Sequence, residues 1–157
     1  MRSEIGIDVN APPRRIFELA CHLERWPDLL PHYRRVTVES HDGSRIRARM
    51  EAVRRFGPVD VPVSWTAEQW ADPDDEADLQ LRFHHVRGPT RDMHVTWHIR
   101  PAPSRADRAR VTIEHVFSRP LPLLGPDAIP TVIDRLFVRP IAGRTLATFK
   151  ALAERQA

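Results

Sequence analysis

At 157 residues the chain is long enough to enclose one hydrophobic core with room for a cavity, and a single domain over 1–157 is the expectation. Its 41% hydrophobic and 29% charged residues are ordinary for a globular protein, and no apolar run approaches the roughly 18 residues of a membrane-spanning helix. The net charge is only +3, and arginines alternate with acids along most segments rather than collecting on one face, which argues against a nucleic-acid partner.

The opening "MRSEIGIDVN" has no apolar h-region, so a cytoplasmic protein is expected. Cys21 is the only cysteine, which excludes an internal disulfide framework and a cysteine-rich metal site; its apolar helical surroundings predict a small buried hydrophobe.

In chain order, Glu4–Val9 alternates apolar and polar residues with the period of a half-buried strand. Asn10 then reads as an N-cap, with Pro12 and Pro13 in the first turn of a helix that runs to about His22 and buries Ile16, Phe17, Leu19, Ala20 and Leu23. "ERWPDLLPHY" follows as a second, short helix that Pro27 starts and Pro31 ends, with Trp26 and Leu29 or Leu30 packed beneath and Tyr33 facing inward.

Six alternating runs come next, near 35–41, 44–55, 59–72, 78–87, 91–101 and 109–119, separated by turn residues such as "HDGS", "FGP", "DPDDEAD", "RGPT" and "PAPSRAD". Short connections make an antiparallel meander the economical topology. From about Pro126 apolar residues return to helical spacing, with Pro140 expected to kink or interrupt the helix. The fold class is therefore α+β: a seven-stranded curved antiparallel sheet wrapped around a long C-terminal helix, with two short helices after the first strand. Such an arrangement leaves space between sheet and helix, and a cavity there is the default binding site.

Strand parity selects the lining, because alternate residues share a face. It groups Val59, Val61, Val63, Trp65 and Ala67 with Gln69; Met93 and Val95 with Trp97; Phe83 with His85; and Ile113 with His115. On the strand from Arg45, Met50 and Ala52 carry Arg54 to the same side. His94 and His98 fall on the outer face, exposed to solvent. His84 and His85 point opposite ways and no carboxylate joins the histidines at a ligand spacing, so no metal site is expected. The acidic "DPDDEAD" reads as a solvated turn.

The order of "VNAPPRRIFELA", "WPDLLPHY", "VSWTAEQW", "MHVTWHIRP", "RVTIEHVFSRP" and the long C-terminal helix resembles the START-like or Bet v 1-like helix-grip proteins (the SRPBCC superfamily), in their polyketide cyclase/aromatase branch. The resemblance covers nearly the whole chain. It implies a cavity for an apolar or aromatic molecule, a polyketide, lipid or quinone, with no cofactor. In the enzymes of this branch the cavity folds a poly-β-ketone chain, directs an aldol condensation and assists dehydration to a ring; other members only carry their ligand. Tyr33, Trp65 and Trp97 match pocket positions of the branch, and Phe83 and Met93 join them by parity. Where those enzymes place a chain-anchoring arginine, this chain has Gln69, so Arg54 from the next strand is the candidate substitute. Proton transfer next to carbonyls suits His115 and His85, with Arg54 as a donor to an enolate oxygen; the structural alternative for each histidine is a hydrogen-bonded core residue. An acyl carrier protein is a further partner that the resemblance admits. Docking to another macromolecule rests only on scattered arginines, contact of Arg135, Arg139 and Arg144 with an anionic membrane is the lesser reading of the last helix, and either a monomer or a homodimer is compatible with the sequence.

Overall fold

In the computed structural model, which describes residues 1–103, 105–117 and 128–155, the alternating runs become seven strands. They are β1 (Arg2–Val9), β2 (Tyr33–Asp42), β3 (Arg45–Phe56), β4 (Val59–Asp72), β5 (Leu79–Arg87), β6 (Met93–Ala102) and β7 (Arg105–Phe117). All pair antiparallel in the order β1-β7-β6-β5-β4-β3-β2. The chain thus meanders from β2 to β7, and β1 lies beside β7. Between β1 and β2 come α1 (Pro13–Cys21), a 3-10 turn at Leu23–Arg25 and α2 (Trp26–Leu29); after β7 come α3 (Ala128–Ile133), a π-helical turn at Asp134–Val138 and α4 (Arg139–Arg155).

The period of two is strict where it matters. Along β5 Leu79, Leu81, Phe83 and His85 are buried while Gln80, Arg82 and His84 are not, and β6 and β7 repeat the pattern with Met93, Val95, Trp97, Ile99 and Val111, Ile113, His115, Phe117. Register then sets these side chains in rows across the concave face, for instance Phe83, Val95 and His115, or Leu81, Trp97 and Ile113. Trp26 plugs the centre of this face: its ring meets Tyr33, Phe83, Trp97 and Phe149 at centroid distances of 5.1–6.1 Å. Its indole N–H donates to the Ala20 carbonyl at 3.0 Å, which satisfies the one polar atom of an otherwise apolar plug.

Pro140 interrupts the α-helical hydrogen-bond ladder without ending the C-terminal helix. Lacking an N–H, it cannot bond the Leu136 carbonyl one α-turn back, and the backbone widens into the π-turn just before it, where Arg139 N–H donates to Asp134 O. Arg54 Nε takes over as donor to Leu136 O, at 2.9 Å.

Three local expectations change. Asn10 is not the N-cap: α1 starts behind Pro12 with no side-chain cap, and the Asn10 backbone N–H instead donates to Glu154 at the far end of α4, 2.7 Å away. Strand β7 begins at Arg105 rather than near 109 because it extends along the end of β6, with Arg105 paired to Ala102. The acidic turn is partly structural: Asp78 is mostly shielded and accepts from Arg100 and His98 at 3.0 and 2.9 Å, and Glu76 pairs with Arg14. The end of the last strand at 118–119 and the helix start near Pro126 lie outside the described residues.

Candidate functional site

The concave face is not filled. Between the sheet and the start of α4 lies a cavity of about 90 Å³. Its floor is Trp26, Tyr33, Met50, Phe83, Met93, Val95, Trp97 and Ile113, and its roof is Phe137, Val138, Ile141, Ala142 and Thr145 from the π-turn and α4. Val63, Trp65, Phe137 and Ile141 are only half-buried, so the wall reaches the surface along the first half of β4. The volume holds several waters. It is well below the roughly 300–1,000 Å³ of pockets that enclose drug-sized ligands, so a larger guest must extend through that open side or displace the wall.

Polar groups enter this apolar wall at three places. His85 stacks on the Trp65 indole (5.8 Å between centroids, 17° between planes), and its Nδ1 shares a 2.6 Å hydrogen bond with the Thr90 hydroxyl. Burial, helped by nearby His115, pushes its pKa down to about 3. His115 sits on β7 opposite Ser3 of β1, with its Nδ1 buried and without a hydrogen-bond partner among the described residues. Burial pushes its pKa down to about 4; the Asp134 carboxylate pulls it back upward and Arg139 opposes that pull. Both imidazoles are therefore neutral at pH 7.

The third group is Tyr33, Thr145 and His32. Thr145 Oγ donates to the Ile141 carbonyl at 2.9 Å, so the 2.8 Å contact with His32 Nε2 requires the imidazole to donate. His32 is thus the Nε2–H tautomer, and its buried Nδ1 is left as an acceptor with no partner among the described residues. Its pKa falls to about 4 through burial, with Arg144 adding to the effect. The Tyr33 hydroxyl also hydrogen-bonds Thr145, and burial holds its pKa above the ordinary phenol range.

Behind His115 a buried carboxylate is fully engaged. Asp134 Oδ1 accepts from Ser3 Oγ at 2.6 Å and Oδ2 from Arg139 Nε at 3.1 Å, while Arg139 Nη2 reaches the Glu4 carbonyl at 3.3 Å. The network pins the π-turn to β1 and thereby sets where Phe137 and Val138 enter the cavity.

Of the residues singled out in the sequence, His85, His115, Tyr33, Trp65, Trp97, Phe83 and Met93 all line this cavity. Arg54 and Gln69 do not. Arg54 lies on the anticipated side of β3, but its guanidinium is spent on the Leu136 and Arg55 carbonyls and lies over the Phe56 ring. Gln69 is buried on the concave face, yet further along β4, where its amide donates to Cys21 O at the end of α1 (3.2 Å). Parity selects the face correctly; α1 covers that part of it, so the position faces a helix end instead of the cavity. No charged side chain lines the cavity among the described residues. Cys21 is half-buried rather than buried, with Sγ 3.2 Å from His22 Nδ1. The outer histidines are not simply solvated: His98 pairs with Asp78, and His94 stacks on His84.

Sequence reasoning missed Thr90, Thr145, His32 and the π-turn residues. Only His32 carried a signal, a polar residue next to Tyr33 in a stretch too apolar to be a loop. Among the described residues no three His, Cys, Asp or Glu side chains gather as a metal cage, and no helix is long and apolar enough to cross a membrane.

Residues 9–136 match the family described as polyketide cyclase/dehydrase and lipid transport. A Streptomyces halstedii protein provisionally named a polyketide cyclase is 30% identical over 98 residues, covering 60% of this chain and 84% of its own. Among solved structures, TTHA0849 from Thermus thermophilus superposes with a TM-score of 0.77 at 21% identity, over 100% of this chain and 99% of its own. The Zhui aromatase/cyclase from Streptomyces sp. R1128 gives 0.73 at 18% identity, over 99% and 94%. These two likenesses carry the fold alone, a helix-grip architecture, whereas the family match spans most of the sequence. The chain belongs to the polyketide cyclase/dehydrase and lipid transport family.

Proposed function

We propose that the protein is a cyclase/aromatase-like enzyme that receives a poly-keto or aromatic ligand between sheet and α4 and directs its aldol cyclisation and dehydration. The observation that supports this most is the pair of neutral imidazoles, His85 and His115, set into an aromatic wall, with His115 Nδ1 lacking a hydrogen-bond partner among the described residues. In the proposed step His115 takes a proton from a methylene between two carbonyls; the resulting enolate carbon bonds to a distant carbonyl carbon, and the His115 imidazolium returns its proton to the new alkoxide, which regenerates the base. Loss of that hydroxyl with an adjacent hydrogen, as water, then forms a double bond in the closed ring and leads to the aromatic product. Imidazoles so hard to protonate are weak bases, so holding the chain folded against Trp65, Trp97 and Tyr33 supplies most of the acceleration, and His85 with Thr90 orients a carbonyl oxygen. The test is the product spectrum of a minimal polyketide synthase with the wild-type protein, His115→Gln or His85→Gln added. A new cyclised product that disappears with His115→Gln supports the reading; an unchanged spectrum with wild-type protein overturns it.

One observation favours a second reading, a carrier without chemistry. The described cavity wall holds no cation to stabilise an enolate: Arg54 is committed to Leu136, and Gln69 is a neutral amide committed to Cys21. A lipid, quinone or polyketide extracted intact from the purified protein, together with an unchanged synthase product spectrum, is the outcome that this reading predicts.

A further inference from the structure

The convex face of the sheet carries a histidine pair for which the cavity has no use. His84 on β5 and His94 on β6 are direct register partners. Their imidazoles lie parallel, with centroids 4.4 Å apart and planes within 2°. Because His85 turns into the cavity, His84 turns out; His94 is exposed and His84 half-buried, so both can be reached from solvent. The neighbouring groups on this face are engaged otherwise. Glu68, the register partner of His84 on β4, is held by Arg47 at 2.8 Å and Arg45 at 3.7 Å, and His98 is bound to Asp78.

We propose that His84 and His94 form a two-imidazole chelate for a borderline divalent ion of the copper(II) and zinc(II) class, with water completing the coordination. Imidazole is the ligand type such ions favour. Metal–nitrogen bonds of about 2.0–2.1 Å put two donors on one ion roughly 3–4 Å apart. Stacked rings aim their in-plane lone pairs side by side, so each imidazole must turn out of the stack about its Cβ–Cγ bond to converge on one ion, which side chains on directly paired residues of neighbouring strands are close enough to do. The strands that carry the pair are interior to a seven-stranded sheet, so little order remains to be imposed on binding. With two protein ligands the site is exchangeable, and it is independent of any chemistry in the cavity on the other face.

Copper(II) alone is the probe, since it binds most tightly in the divalent series, added to protein without a histidine tag. Electron paramagnetic resonance should show one equivalent coupled to two nitrogens. The signal should fall at least tenfold at limiting copper in His84→Ala and in His94→Ala and stay unchanged in His98→Ala. The melting temperature should rise with copper in the wild type and not in the two pair variants, while metal-free melts of all variants verify that they fold. Copper retained with equal affinity in both pair variants overturns the proposal, as it would be if the ion went to Cys21 and His22; so does failure of the wild type to bind one equivalent.

Discussion

Lowering the pH from 7.5 to 5 should strip most of the protein's stability, and buried histidines rather than carboxylates should be responsible. His32, His85 and His115 have folded-state pKa values near 4, 3 and 4, against an ordinary 6.5. A group that protonates more readily when unfolded costs nothing above about pH 7. As pH falls through the unfolded value the unfolded state binds the extra proton, and stability drops by about 1.4 kcal/mol per pH unit per group until the folded pKa is reached. At pH 5 that is about 2 kcal/mol each and about 6 kcal/mol for the three, comparable with the total of roughly 5–15 kcal/mol that a domain has. The carboxylates with resolved shifts, Asp60, Asp78, Asp107 and Glu154, are all shifted downward by their cationic neighbours or hydrogen bonds, so their contribution is present above the unfolded carboxylate pKa and is lost as pH falls from there through the lowered folded value. Urea unfolding at pH 7.5, 6.5, 5.5 and 5.0 measures the slope. His85→Gln and His115→Gln, which cannot take up a proton, should each flatten it by about a third. A total loss under about 2 kcal/mol, or wild-type slopes in both variants, would refute the reasoning.

Two further substitutions test the site's supports. Gly88 has φ +100°, and a Cβ there would lie 2.8 Å from the Ser64 carbonyl and 3.0 Å from Trp65 Cα; Gly88→Ala should cost about 1–3 kcal/mol in urea unfolding and alter Trp65 fluorescence. Arg54→Gln should cost about 1 kcal/mol through the Leu136 hydrogen bond and speed amide exchange in the helix that follows, while the cavity histidines titrate as before. Lost ligand binding without lost stability would instead give Arg54 a direct role at the cavity.

What could be read in advance follows from what repeats locally. Alternation by two placed Phe83, His85, Trp97, Ile113 and His115 on one face, because every neighbour on these strands obeys the same geometry. How far along that face the cavity extends depends on which helix covers which row, and that is a tertiary fact. Gln69 and Trp65 share a face, yet one meets the end of α1 and the other the cavity. The same limit hid the roof: Phe137, Val138 and Thr145 lie in an apolar helical pattern that would fit several rotations about the helix axis. The stacking of His84 on His94 needed the exact register of β5 on β6, which depends on how the "RGPT" connection turns.

The π-turn before Pro140 also settles a question of helical phase. Asp134, Val138, Ala142 and Leu146 are all buried at steps of four, and in a uniform α-helix each such step would drift about 40° around the axis, about 120° over three. One widened turn absorbs that drift and keeps a four-residue stripe on the sheet. Closing this turn to α geometry without changing the number of residues would rotate everything before it by about 100°, carrying Asp134 away from Ser3 and exchanging the side chains that roof the cavity, whereas deleting one residue from 134–138 would leave a regular helix with both flanks in phase. The shape offered to a ligand is in this sense a matter of counting: one extra residue per turn, called for by one proline without a donor.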